Sequence, residues 1–272
     1  MKTIATALAR SNVVGERIEL PWPALNRRLK LHTKELVLVA GAPGAGKSVF
    51  ALNIVMSDEL ADQPILYLAQ DSVPSVLARI AALALSEPID TILDRLRNPE
   101  EKLQVLEDLQ DVRPNLFIHG GALGFEGIQL RIEAMSEVYG KAPRLVIVDN
   151  LIDTIVPGSH HQEVGFYAQI LNQLKQLALS ADTCVLALHH VTRRGGEGGS
   201  PHGLGTRSLK MTDLLFAGER EAEHVIGVYH STAQDRMYVE ILKQRDGEAD
   251  PEGGVYVPLV WQPTMGRLER RG

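Results

Sequence analysis

Hydrophobic residues along this chain fall into short continuous runs that alternate with stretches of helical period. The continuous runs predict strands buried on both faces, and apolar spacings of three and four predict helices that cover them. Strands are predicted at 36–40, 65–69, 115–119, 144–149 and 184–189, and helices at 48–60, 75–86, 127–139 and 163–179. This alternation predicts an α/β fold whose mostly parallel sheet is flanked by helices.

The last third of the chain has a different pattern. Beyond residue 190 a glycine-rich stretch leads to a short predicted helix at 207–216 and then to predicted strands at 224–230, 237–243, 255–261 and 266–270. Because turn signals separate these strands, we expect C-terminal antiparallel strands that extend the parallel core. Acidic residues and leucines between positions 90 and 111 predict a helical insertion at the surface.

Domain organisation follows from the same pattern. No repeat or low-complexity linker interrupts the apolar periodicity, so we expect residues 21–272 to form a single domain. We expect residues 1–20 to form an N-terminal arm or interface segment.

Composition narrows the class of protein. With 272 residues, of which 44% are hydrophobic, the chain is long enough to bury a large core. The one cysteine, Cys184, lies in an apolar run, which excludes a disulfide framework and a cysteine-rich metal site. No signal peptide or membrane-spanning run is predicted, so we expect a cytoplasmic protein without membrane contact. The net charge of −6 argues against coating nucleic acid through bulk positive charge.

The most informative local pattern is a phosphate-binding loop between the first strong strand and the first strong helix. Two glycines bracket four residues and are followed by a lysine and a serine, the spacing that curls backbone N–H groups around a phosphate at a helix N-terminus. The predicted nucleotide-binding residues are Gly41, Ala42, Pro43, Gly44, Ala45, Gly46, Lys47, Ser48 and Val49. Lys47 would reach the β- and γ-phosphates and Ser48 would hold Mg²⁺, which predicts ATP and Mg²⁺ as cofactors.

Polar residues follow three of the other predicted strands, at the edge where ligands bind in sheets of this kind. Asp149 ends the run 145–149 and is predicted to hold Mg²⁺ together with Ser48. Asp71 follows the strand at 65–69 and is a candidate to polarise the attacking water; the alternative is that it caps the next helix. His189 and His190 end a third strand, and either one can donate to the γ-phosphate.

A lysine and an arginine close the strand at 237–243. Lys243 and Arg245 are two residues apart and therefore share one face of an extended chain. Such a pair can be ordinary surface charge. Its position before the turn Asp246-Gly247 also suits a finger that reaches the γ-phosphate held by a neighbouring subunit.

Together these motifs resemble the motor domain of the hexameric replicative helicases of the DnaB type, within the RecA-like ATPase superfamily, over most of the chain. Ile65-Leu-Tyr-Leu-Ala-Gln-Asp71 resembles the strand that ends in the family's catalytic glutamate, here an aspartate. His190 takes the position of the glutamine that senses the γ-phosphate, as in small plasmid-encoded helicases of the same group. Lys243-Gln-Arg245-Asp-Gly247 resembles the finger that crosses the subunit interface.

The resemblance implies a RecA-like P-loop NTPase core and a Mg²⁺-dependent ATPase. Such a protein forms a ring, commonly a hexamer, that moves on single-stranded DNA and unwinds forked duplexes alongside other replication proteins. Contact with DNA is then expected from the glycine-rich segment 193–210, whose basic residues are Arg193, Arg194, Arg207 and Lys210. The alternative is that the same segment is only a flexible surface loop.

Two other functions remain open from the sequence. A RecA-like ATP switch or recombination mediator would bind DNA without unwinding it; the acidic net charge favours this, and so does Leu215, which stands where the family usually has a basic residue. A metal-dependent nuclease would use Asp71, Asp149 and Asp153 with nearby histidines, although no separate nuclease motif is present.

Overall fold

A mixed β-sheet forms the centre of the molecule. The computed structural model describes residues 15–69, 72–151, 164–191, 208–214 and 220–269. The strands are β1 (Arg17–Ile18), β2 (Leu31–His32), β3 (Leu36–Gly41), β4 (Ile65–Ala69), β5 (Leu116–Gly120), β6 (Leu145–Asp149), β7 (Cys184–His190), β8 (His224–Ser231), β9 (Arg236–Lys243), β10 (Tyr256–Gln262) and β11 (Arg267–Glu269). Within the described residues β3 to β11 form one nine-stranded sheet in the order β11-β10-β9-β8-β3-β7-β6-β4-β5.

The sheet has a parallel half and an antiparallel half, as the hydrophobic pattern predicts. β5, β4, β6, β7, β3 and β8 run parallel to one another, whereas the pairings β8–β9, β9–β10 and β10–β11 are antiparallel. The helices are α1 (Pro23–Arg28), α2 (Lys47–Val55), α3 (Val73–Leu85), α4 (Ile89–Arg97), α5 (Pro99–Val112), α6 (Phe125–Tyr139) and α7 (Val164–Ala181). A hydrophobic cluster lies on each face of the sheet, which confirms the predicted fold class.

Most predicted strands begin and end within one residue of the observed bounds, and β3, β4, β6 and β7 are buried along almost their whole length. The helix predicted at 48–60 is shorter than expected: it ends at Val55 and a 3₁₀ turn follows at Asp58–Leu60. The helix predicted at 207–216 is a 3₁₀ turn at Met211–Asp213 in the part that the structure describes. The predicted surface insertion consists of α4 and α5, which pack on each other and on α3.

The first described residues are part of the core, although sequence patterning did not predict their structure. β1 pairs with β2 in a small antiparallel ladder, and Ile18 and Leu20 are almost fully buried. Trp22 stacks on Phe50 of α2, with ring centroids 5.3 Å apart, and its indole N–H donates to the backbone of β11. The entering chain therefore braces the helix that begins at the phosphate loop.

The C-terminal strands are tied to the same helix. Asn53 of α2 accepts from the backbone N–H of Leu268 at 2.9 Å and donates to the carbonyl of Gly266 at 2.7 Å. Asn53 is almost fully buried, so these bonds fix β11 and its partner β10 against α2. No helix in the described residues is long and apolar enough to cross a bilayer.

Candidate active site

The phosphate loop joins β3 to α2 in the predicted place. β3 is fully buried between β7 and β8, and its last residue, Gly41, leads directly into the loop. Gly44 and Gly46 have φ angles of 76° and 97°, which L side chains rarely adopt. A Cβ at Gly46 would also lie 2.3 Å from the Met237 side chain. Both glycines are therefore needed for the turn that opens α2 toward a phosphate.

Lys47 lies folded over this loop. Its ammonium donates to the carbonyls of Gly41 and Ala42 at 2.9 and 3.1 Å, and the residue is 7% exposed. Burial lowers the pKa of Lys47 to about 8, and attraction from Asp149 opposes that shift. Because carbonyl oxygens are neutral acceptors, arriving phosphate oxygens can displace them and form stronger, charge-assisted bonds.

His190 connects Lys47 to the end of β6. Nδ1 of His190 lies 3.4 Å from the Lys47 ammonium, and Nε2 lies 2.6 Å from the side-chain amide of Asn150. Since an ammonium can only donate, Nδ1 accepts in the contact with Lys47, and a neutral imidazole then carries its hydrogen on Nε2. His189, the other candidate, is fully buried and its ring packs edge-on to Tyr167. Of the two histidines, only His190 faces the loop.

Asp149 ends β6 beside the loop, and its peptide bond to Asn150 is cis. The hydroxyl of Tyr67, a fully buried residue of β4, donates to Oδ2 of Asp149 at 2.5 Å. Ser48 and Asp149 line the same cavity, so a hydroxyl and a carboxylate oxygen are available on its wall. Oxygen donors are the ligands that Mg²⁺ prefers, and this pair therefore fits the predicted ion.

A cavity of about 360 Å³ opens at this edge of the sheet. Its wall includes three residues that the sequence did not single out: Arg79 from α3, Asn150 after β6 and Trp261 from β10. Trp261 packs edge-on to His230, with ring centroids 4.7 Å apart. The volume lies within the range of small-ligand pockets. The residues that line the cavity are Pro43, Gly44, Gly46, Lys47, Ser48, Val49, Arg79, Asp149, Asn150, His190 and Trp261.

Lys243 and Arg245 lie at the other edge of the sheet. Lys243 donates to the carbonyl of Ala222 at 2.7 Å, and Nη2 of Arg245 lies 2.9 Å from Oε1 of Glu223. Gln244, between them, donates to the carbonyl of Arg28 at 3.0 Å. Lys243 and Arg245 are thus held by the residues just before β8, and Gln244 is held by the end of α1.

Strand register shows how far this pair lies from its own phosphate loop. Val225 of β8 pairs with both Leu38 of β3 and Lys243 of β9, and Glu223 donates its backbone N–H to the Leu36 carbonyl. The loop follows Gly41 at the opposite end of β3, five residue steps from Leu36, or about 17 Å at 3.3 Å per residue. The structure therefore does not bring the predicted finger together with the phosphate-binding residues of the same chain.

The remaining predicted site residues are only partly described. Lys210 is exposed and pairs with Glu252 at 2.5 Å, beside a turn whose Leu214 bridges to Val191 at the end of β7. Asp71, Arg193, Arg194 and Arg207 lie outside the described residues.

Of the three carboxylates in the nuclease hypothesis, one lies in the described part of the chain. Asp149 is described, whereas Asp71 and Asp153 are not. Among the residues that the structure describes, no group of three or more His, Cys, Asp or Glu side chains is placed to hold a metal ion.

A parallel sheet with a glycine loop, a buried lysine, a serine and a strand-end aspartate at one edge defines a P-loop ATPase. Residues 5–196 match the AAA domain family, and the chain belongs to that family. It is accordingly a nucleotide-binding protein and an ATP hydrolase.

Known proteins of related sequence include phage and bacterial proteins. The Gene 65 protein of Mycobacterium phage L5 is 24% identical over 251 residues, which cover 90% of each chain. The replicative DNA helicase DnaB of Pasteurella multocida is 27% identical over 237 residues, which cover 80% of this chain and 48% of that one.

Solved structures share the fold. One solved ATPase domain superposes with a TM-score of 0.77 at 19% identity, and each chain is covered completely. A DnaB-like replicative helicase, solved in a study of its interactions with primase, has a TM-score of 0.74 at 19% identity over 100% of this chain and 68% of that one. The fold is that of the ATPase domains of DnaB-type helicases.

Proposed function

We propose that this protein is a Mg²⁺-dependent ATPase that assembles into a ring, moves along single-stranded DNA and unwinds duplex DNA. The observation that carries the proposal is the separation of the two halves of the ATP site. Lys47 and Asp149 lie at one edge of the sheet, and Arg245 lies at the other. Arg245 lies near the start of β3, about 17 Å along that strand from the loop of its own chain, so a role at a γ-phosphate would require the site of a neighbouring subunit.

A ring supplies such a neighbour to every subunit. Contacts in which one edge of a subunit meets the opposite edge of the next are head-to-tail, and they close into a ring when the rotation allows. In each interface Lys47, Ser48, Asp149, Asp71 and His190 would come from one chain, and Lys243 and Arg245 from the next. Ser48 and Asp149 would hold Mg²⁺, which when bound would supply positive charge against the phosphates.

The base of the nucleotide also has a candidate contact. Trp261 lines the cavity together with Ser48 and Val49, so the cavity contains an aromatic side chain as well as the phosphate loop. Aromatic faces bind every base through stacking, without reading its identity. We infer that Trp261 contacts the base of the bound nucleotide.

DNA would pass near the segment 193–210, as expected for the central channel of a ring. Lys210 lies at the phosphate-loop edge of the sheet, because its turn bridges to Val191 immediately after His190. The relationship to the DnaB of Pasteurella multocida supports DNA and other replication proteins as partners.

The proposal is tested by particle mass and symmetry in the presence of a non-hydrolysable ATP analogue and Mg²⁺. We expect a closed ring, whereas a monomer or an open filament would contradict it. Strand displacement on a forked substrate then tests unwinding. ATP turnover that single strands stimulate, without displacement by assembled rings, would instead identify an ATP switch that binds DNA.

A further inference from the structure

A buried carboxylate lies beneath the predicted finger. The Glu223 side chain is 2% exposed, and its Oε1 is 2.9 Å from Nη2 of Arg245 and 2.8 Å from the ammonium of Lys175. Its Oε2 accepts from the backbone N–H of Leu36 at 3.0 Å. Glu223 is therefore fixed to β3 by a main-chain bond and to two cations by ion pairs.

Arg245 is oriented by this carboxylate but not enclosed by it. The side chain of Arg245 is 59% exposed, and the bond to Glu223 uses Nη2. A guanidinium has five N–H donors, and the bond to Glu223 uses one of them. Because Glu223 holds one side of the guanidinium, Arg245 is already partly ordered, and less conformational entropy is lost when it binds a phosphate.

Lys175 changes the net charge around the contact between Glu223 and Arg245. A single carboxylate beside Arg245 would cancel its charge and weaken its attraction to a phosphate. Here Lys175 is 23% exposed and shares the same oxygen of Glu223. The trio of Lys175, Glu223 and Arg245 thus carries a formal charge of one positive, and the finger is oriented without being neutralised.

We propose that Glu223 is a positioning residue for the Arg245 finger, with Lys175 balancing its charge. The inference rests on the proposed shared site. Glu223 does not touch the phosphates; it fixes the direction from which Arg245 approaches the γ-phosphate of the neighbouring subunit. Lys175 ensures that Arg245 arrives with its charge intact.

The test uses mixed rings of full-length chains. Chains with Lys47→Ala keep the finger but lack a working phosphate loop, and chains with Arg245→Ala have the reverse defect. Their mixture places working loops opposite working fingers. Adding Glu223→Gln to the Lys47→Ala chain should lower the recovered kcat about tenfold, the cost of ordering one long side chain, with KM unchanged.

The matched control is the same substitution in the Arg245→Ala chain, which has no finger to orient, and there the recovered kcat should not change. Equal loss from either position would mean that Glu223 acts through the fold, and loss from neither would mean that it has no role; both results would overturn the inference. If the mixture without Glu223→Gln recovers no activity, the shared site itself fails, which is a distinguishable result.

A second variant tests the charge balance. Lys175→Gln in the finger-bearing chain leaves Glu223 to neutralise Arg245, so the recovered kcat should fall. Adding Glu223→Gln to that chain should give the recovered kcat of Glu223→Gln alone, because Lys175 then has no carboxylate to balance. A double variant slower than Glu223→Gln alone would contradict the role of Lys175. Unfolding temperature and ring mass are measured for each variant, and Glu223→Asp, which keeps the charge but shortens the reach, replaces Glu223→Gln if the latter does not assemble.

Discussion

The two ends of β3 hold their cations in different ways. At the end that leads into the phosphate loop, Lys47 lies over backbone carbonyls at the wall of an open cavity. At the opposite end, where β3 starts with Leu36, Arg245 is paired with the buried carboxylate of Glu223. Neutral carbonyls are easily exchanged for phosphates, whereas an ion pair to Glu223 holds a side chain in one direction.

In the proposed ring, this difference would separate two roles. The loop end would bind and release nucleotide, and the opposite end would present a fixed charge to the neighbouring subunit. Since both ends belong to the same strand, each subunit in a ring would receive a finger at one end of β3 and supply one from the other. Changes at the two ends should therefore affect different kinetic quantities.

The largest difference is expected from Arg245→Ala. Removing the finger should lower the ATPase rate of the assembled protein about a thousandfold, because stabilising charge at the transferred phosphoryl group is lost. Nucleotide affinity, measured by fluorescent-nucleotide titration, should change little. Arg28→Ala, at an exposed arginine near the same edge, is the control and should leave the rate unaltered. Equal loss of affinity and rate in Arg245→Ala would place the residue in the chain's own binding site.

A smaller effect is expected at the loop end from Trp261→Ala. Loss of base stacking should weaken ATP binding about tenfold while leaving the affinity for inorganic tripolyphosphate unchanged, because that ligand has no base. Trp261→Phe, which keeps an aromatic face, should retain most of the affinity. Parallel titrations with the two ligands decide the question: equal weakening for both would show that Trp261 acts by supporting the phosphate loop.

The pH dependence of nucleotide binding tests Lys47. Its pKa is lowered to about 8, so the fraction of unliganded protein with a charged ammonium falls as pH rises through 8. If only the charged form binds well, affinity should drop about eightfold between pH 7.5 and 9, and binding at pH 9 should take up a proton. Calorimetry in buffers of different ionisation enthalpy measures both. Lys47→Arg keeps its charge and should show a flat profile; a flat profile for the unsubstituted protein would contradict the shifted pKa.

The smallest effect is expected from Tyr67→Phe. Removing the hydroxyl that orients Asp149 should weaken divalent binding about fivefold, the equivalent of one hydrogen bond of about 1 kcal/mol. Mn²⁺ affinity in the presence of a non-hydrolysable nucleotide, followed by electron paramagnetic resonance, measures this directly. Tyr229→Phe is the matched control, since Tyr229 lies on β8 and stacks on Tyr238 instead. Unchanged Mn²⁺ affinity in Tyr67→Phe would leave the hydroxyl without a role in the metal site.

The sequence predicts the fold well where burial is complete. β3, β4, β6 and β7 are apolar on both faces, so their positions follow from hydrophobic runs alone. The bounds of α2 were harder to predict, because Met56 to Leu60 continue its apolar spacing although the helix has already ended. β1 and β2 have two residues each, too few to show a period.

The candidate site also has residues that the sequence predicts and residues that it does not. Lys47, Ser48 and Asp149 belong to motifs with fixed local spacing, and the structure brings them to one cavity. Tyr67 was predicted only as a strand residue, since its hydroxyl bond to Asp149 depends on the pairing of β4 with β6. Glu223 reaches Arg245 and Lys175 through contacts across 22 and 48 positions of sequence, which no local pattern indicates.

The central claim is that each ATP site is completed by a second subunit, and subunit mixing tests it most directly. Chains carrying Lys47→Ala and chains carrying Arg245→Ala should each be nearly inactive alone, with both folded and able to assemble. Mixed in equal amounts, they should recover a substantial fraction of the unsubstituted ATPase rate, because some interfaces pair an intact loop with an intact finger. Mixed rings that remain as inactive as their parents would contradict a finger acting between subunits.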